Sequence, residues 1–129
     1  MFSVNKQNMA ISLHKGDTGA FTVTMSLQSG DEFVDGDVAI FEVWRGTTLM
    51  MHREFNLQPD EPTYTEYGDG KFLLAFRNSD TDTWAAGSYS TEIRVSLNPI
   101  RSDGKVVDGD TVRTMVQSTL TILDVLINI

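Results

Sequence analysis

The stretch NSDTDTWAAGSYSTEIRV, residues 78 to 95, places two carboxylates, Asp80 and Asp82, directly after the hydroxyl of Ser79. Oxygen donors this close together could begin a calcium loop. Such a loop needs ligands at every second position, a glycine at its turn and a distal bidentate glutamate, and that pattern is missing. Small oxygen-bearing side chains also serve at helix starts: Asn78 or Ser79 is expected to cap one short helical turn, accepting hydrogen bonds from its free N–H groups. Two further triplets, Asp35-Gly36-Asp37 and Asp108-Gly109-Asp110, would gather four carboxylates around a cation if they met at one end of a fold. Taken singly, each is an ordinary turn sequence. Carboxylate pairs that cleave glycosides need in addition a substrate groove of aromatics, which spacing alone does not display.

The remaining chemistry is sparse. His14 and His52 are the only histidines, each in a strand-like stretch with no serine, cysteine or carboxylate at a motif spacing. Nucleophilic catalysis needs a base held by a third group beside the nucleophile. With no cysteine, a zinc site would have to combine the two histidines with carboxylates. Gly16-Asp17-Thr18-Gly19 lacks the lysine and the following helix of a phosphate-cradling loop, and reads as a tight turn between strands. The expectation is therefore no catalytic residue, no cofactor and no metal.

The elements that position these groups are legible from periodicity. In GAFTVTMSL, Phe21, Val23, Met25 and Leu27 fall on one face and Thr22, Thr24 and Ser26 on the other; in SYSTEIRVSL, Tyr89, Ile93, Val95 and Leu97 oppose Ser90, Glu92, Arg94 and Ser96. DVAIFEVWR and KFLLAFR are apolar on both faces, as central strands are. MAISLH, TLMMHREF and the long VRTMVQSTLTILDVLINI complete a set of about seven strands separated by glycine–aspartate turns, with no amphipathic helix. LQPDEPTYTEY is the least regular connection. The expected fold is all-β, an antiparallel sandwich of about seven strands formed as a single domain over residues 1–129. Its core should include Phe21, Val23, Met25, Phe41, Val43, Phe72, Leu74, Phe76, Tyr89, Ile93 and Val95, with Trp44 and Trp84 both facing inward.

Composition narrows the partners. The formal net charge is −8 and the ten lysines and arginines are scattered singly, so the chain's field repels phosphate backbones and nucleic acid is not an expected partner. At 40% hydrophobic residues the chain is too apolar for disorder. The opening MFSVNKQNMAISLHKG has no signal-peptide pattern, and no apolar run approaches the length of a membrane span. The tail at residues 123–129 is apolar on both faces of any strand it forms. Leu123, Val125, Leu126, Ile127 and Ile129 are therefore candidates for an interface with another subunit.

In W-A-A-G-S-Y-S-T the spacing of Gly87 and Tyr89 after Trp84 resembles the tyrosine corner of immunoglobulin-like domains, with Thr91 where the disulfide cysteine would stand and Ala85 in place of the usual aspartate. A wider resemblance covers residues 10 to 123. The opening ISLHKGDTGAFTVTMSLQSGDEFVDGDVAIFEVWRG is followed by GKFLLAFRNSDTDTWAAGSYSTEIRVSL, a DGKVVDGD turn and a closing TMVQSTLTILDV. In their order these motifs resemble the immunoglobulin-like N-terminal domain of tailed-phage upper baseplate proteins and related prophage structural modules. The resemblance implies an immunoglobulin-like sandwich with a structural corner at Trp84, Gly87 and Tyr89. It also implies a non-enzymatic virion protein, assembled in the bacterial cytoplasm, that packs against copies of itself or neighbouring tail proteins. The rival expectation is a bacterial surface or carbohydrate-binding sandwich, which requires an export signal and exposed aromatics.

Overall fold

The computed structural model describes residues 2–27, 30–97, 100–102, 105–108 and 111–123. The first half of the chain forms β1 (Ser3–Val4), β2 (Ile11–His14), β3 (Gly19–Thr24), β4 (Val38–Arg45) and β5 (Thr48–Asn56). Then come β6 (Glu66–Gly68), β7 (Lys71–Phe76), the helical turn α1 (Asn78–Thr81), β8 (Gly87–Leu97), β9 (Ile100–Ser102), β10 (Lys105–Asp108) and β11 (Thr111–Leu123). Every strand expected from the alternation is present. Four short ones of two to four residues join them, β1, β6, β9 and β10, where the sequence has no run of alternating apolar and polar residues.

The strands form a six-stranded sheet in the order β1-β2-β11-β8-β4-β5 and a three-stranded sheet in the order β3-β7-β6, with β9 and β10 as a separate ribbon. All pairings are antiparallel except that of β2 with β11. The protein is thus an immunoglobulin-like β-sandwich: one sheet is built on β4, β8 and β11, the other on β3, β7 and β6, and β5 extends the first where variable-type domains add a strand.

Side chains explain why the two sheets face each other. Along β4, six consecutive residues from Val38 to Val43 are buried. Ala39, Phe41 and Val43 point into the core shared with β7, while Val38, Ile40 and Glu42 lie on the outer face of the sheet. Aromatic contacts join the layers: Phe41 meets Phe76 edge-on at 6.2 Å, and Phe55 stacks on Phe72 at 4.4 Å. Phe21 departs from expectation and is only half-buried, because β3 is an edge strand of the smaller sheet. Phe2 covers that edge, 6.3 Å from Phe21 and 5.7 Å from Phe76. Gly19 leaves the room, since a Cβ there would sit 2.2 Å from the Phe2 ring.

Gly70 occupies the turn before β7, with φ at +78° and its carbonyl accepting from Met25 N–H at 2.8 Å. A Cβ at this position would lie 2.2 Å from the Met25 carbonyl oxygen, whereas one at Gly46, with φ at +60°, meets open space. Gly70→Ala is therefore expected to cost roughly 2–4 kcal/mol in a urea titration, combining backbone strain with displacement of β3. Gly46→Ala should cost only about 1 kcal/mol, for the left-handed backbone alone. Equal losses in the two variants would contradict this packing.

Candidate functional site

The aspartates at the start of the quoted stretch belong to a clasp between the sheets. Asp80 Oδ2 accepts from the Arg77 backbone N–H at 2.6 Å and from the Arg53 guanidinium at 2.6 Å, and Arg53 also donates to the Ala75 carbonyl. Arg53 comes from the inner face of β5 and lies over the Phe76 ring at 5.8 Å. The cap therefore differs from the expected one: the turn starts at Arg77, and Asp80 reaches back to its N–H. Asn78 instead donates to the Gly16 carbonyl at 2.9 Å, and Thr81 Oγ1 accepts from Gly16 N–H at 3.1 Å, which ties the turn after β2 to α1. Asp82 is exposed at the end of the turn.

Burial alone would raise the Asp80 carboxyl, but the Arg77 N–H and the Arg53 guanidinium together bring it below its ordinary value of 3.8. Among the described residues, no three acidic or histidine side chains are grouped to hold a metal.

Beside the clasp stands the corner. The Tyr89 hydroxyl donates to the Ala85 carbonyl at 2.6 Å, and the Trp84 and Tyr89 rings lie 5.1 Å apart. The Arg45 guanidinium covers the Tyr89 ring at 4.8 Å and points one N–H at the Ala86 carbonyl, 3.5 Å away. Gly87 has φ at +133°, and a Cβ there would press on that guanidinium at 3.3 Å. Trp84, Gly87 and Tyr89 thus share one site with Arg45, a residue that sequence spacing did not connect to them.

The outer face of the larger sheet holds a second cluster. Glu42, buried, accepts at one oxygen from Arg94 at 2.9 Å, and its other lies 2.8 Å from His52 Nδ1; His52 Nε2 lies 2.7 Å from Glu54. Arg94 Nε lies 3.0 Å from Glu92 without the alignment of a hydrogen bond. His52 is consequently not isolated, as its spacing implied. The overlooked signal was Glu54, two residues along the strand and hence on the same face; Glu42 arrives through the β4–β5 register. Trp44 also departs from expectation. It lies on the outer face, half-buried, beside Ser90 and Leu49.

The other candidates serve turns. The His14 and Asp17 backbones bond each other and the Asp17 carboxylate accepts from His14 N–H at 3.0 Å, with Gly16 at φ +78°. Asp37 accepts from Val34 N–H at 2.9 Å and Asp35 from the Asn56 amide at 2.8 Å. Asp108 ends β10. Leu123, at the end of β11, is 36% exposed and pairs with His14. Asp110, Val125, Leu126, Ile127 and Ile129 lie outside the described residues.

Fold and site together define an immunoglobulin-like sandwich in which, among the described residues, Asp80 and Glu42 are held by arginines, His52 by two carboxylates, and Asp17 and Asp37 by backbone N–H groups. Neither family models, nor curated proteins, nor solved structures give a match to this chain.

Two variants test the site. Tyr89→Phe is expected to lower the unfolding free energy by about 0.5–1.5 kcal/mol in urea, the worth of one hydrogen bond to a backbone carbonyl. Asp80→Asn should cost about 1–3 kcal/mol at neutral pH by weakening charge-assisted bonds. Because the folded-state carboxyl is depressed, its contribution is fully present above the ordinary value of 3.8 and is lost as the pH falls through the lower folded-state value. The gap between Asp80→Asn and wild type should therefore close in acid, as read by urea titrations at descending pH. A gap independent of pH would place the stabilisation elsewhere.

Proposed function

We propose that the protein is a non-enzymatic structural module of a tailed-phage or prophage tail or baseplate, working by packing against copies of itself or neighbouring tail proteins. The order of motifs along the chain supports the phage assignment. The observation that carries the packing role is the course of β11. This thirteen-residue strand is the longest described; it runs along β8 to Ile122, its last four residues also pair with β2 on the other side, and it ends at exposed Leu123. The sequence that follows, DVLINI, is four-sixths apolar. A contiguous apolar segment continuing from a sheet is stable in water only when another surface covers it.

The reading assigns Leu123, Val125, Leu126, Ile127 and Ile129 to contact with a second copy in a closed oligomer, or with a neighbouring tail protein. Light scattering of the full chain beside one ending at Asp124 tests the first option. The full chain is expected to be oligomeric and the shortened chain monomeric. A monomeric full chain, or an oligomer that survives the truncation, removes the tail from self-association.

A further inference from the structure

The strand registers lay side chains in rows across the outer face of the larger sheet. In one row Thr119 opposes Ser90, Ser90 opposes Trp44 and Trp44 opposes Leu49; in the next Gln117 opposes Glu92, Glu92 opposes Glu42 and Glu42 opposes His52. Two small hydroxyl side chains beside an indole leave a hollow. It is an open depression of about 570 Å³ lined by Trp44, Ser90, Glu92, Gln117 and Thr119, within the roughly 300–1,000 Å³ of small-ligand sites.

Its walls are held in place. Arg45, the next residue after Trp44, is turned to the opposite face of β4 by its contact with Tyr89, so Trp44 must face the hollow. The β4–β8 ladder stays in register through Val43–Thr91 and Trp44–Ser90, and the extra residue of the β4–β5 irregularity, Met50, is on β5, so Trp44 keeps its place beside Ser90. Arg94, 3.0 Å from Glu92 and bonded to Glu42, fixes the carboxylate side.

The lining selects its occupant by chemistry. Arg94 stands between two carboxylates and the chain carries a net charge of −8, so an anionic ligand would be repelled. An apolar ligand would cover Ser90, Gln117, Glu92 and Thr119 without bonding them, a desolvation cost with no return. A neutral sugar suits both halves. Its C–H face carries partial positive charge that matches the negative face of the indole, and its hydroxyls donate to the carboxylate and pair either way with the amide.

We propose that this depression binds a neutral saccharide, with Trp44 as the stacking platform and Glu92 and Gln117 as the hydroxyl partners. The inference is independent of the assembly role, and its test does not involve the C-terminal tail.

The full chain has two tryptophans, so nitrogen-labelled protein gives two indole signals, and the one missing from Trp44→Phe belongs to Trp44. A panel of neutral tetrasaccharides built on glucose, galactose or N-acetylglucosamine is titrated in, with sialyllactose as the anionic control. At least one neutral sugar is expected to move the Trp44 signal saturably, with a Kd of about 1 mM, while the Trp84 signal stays in place and reports that the fold is intact. Gln117→Ala should weaken that binding roughly fivefold, and in Trp44→Ala the sugar-induced shifts of the Ser90 and Gln117 backbone amides, present in the wild type, should vanish. The inference is overturned if no neutral sugar moves the Trp44 signal, if sialyllactose binds more tightly, or if Trp44→Ala only weakens self-association, which would assign the face to a protein contact.

Discussion

Tyr89 is the constraint from which the geometry of both sites follows. Its ring is enclosed by Trp84 on one side and the Arg45 guanidinium on the other, and its hydroxyl is bonded back to Ala85. Holding Trp84 there sets the position of the short turn before it, through the bond from Trp84 N–H to the Thr81 carbonyl. That turn presents Asp80 to Arg53. Laying Arg45 over the Tyr89 ring leaves Trp44 on the other face of the same strand. One buried aromatic thus orients a clasp between the sheets and a half-buried indole on the outer face.

The charged groups obey a related logic. A carboxylate removed from water is tolerated where a cation and hydrogen bonds accompany it. Asp80 meets that condition with Arg53 and Arg77. Glu42 faces a harder one, because Glu92 stands directly opposite it on the neighbouring strand, an unfavourable like-charge pair. Arg94 lies between the two, and His52 takes the remaining oxygen of Glu42. Asp80 and Glu42 are therefore held where arginine and hydrogen bonds offset their removal from water. Arg53, charged and directed inward from the edge strand β5, is also a feature by which sheet edges resist pairing with stray chains.

Much of this was legible in the sequence. Alternation located β2, β3, β4, β5, β7, β8 and β11, because each is long enough for one face to be buried and the other not. The corner at Gly87 and Tyr89 was read through its resemblance to the tyrosine corner, and the structure has the Tyr89 hydroxyl bonded to the Ala85 carbonyl. What escaped depended on partners distant in the chain. Arg45 is drawn to Tyr89 on the neighbouring strand β8, more than forty residues along the chain, so nothing near position 45 announces that Trp44 will face outward. Likewise Asn78 looked like a cap, yet its amide is taken by Gly16, more than sixty residues earlier, and Asp80 assumes the role. Phe21 carried a correct period but an overstated burial, since periodicity names a face without revealing whether the strand is central or at an edge.

The parallel pairing of β2 with β11 bears on how the chain is made. Ile11 to His14 find their partners in Leu120 to Leu123, almost the full length of the sequence away, while β4 and β5 close a hairpin locally. At a synthesis rate of about 5–20 residues per second, β2 waits on the order of ten seconds for that partner to leave the ribosome. Once β8 has emerged it has β4 on one flank, while its other flank waits for β11. The larger sheet is then a half-built surface with an open edge, and β11, the last strand among the described residues, is the one that joins β2 to β8.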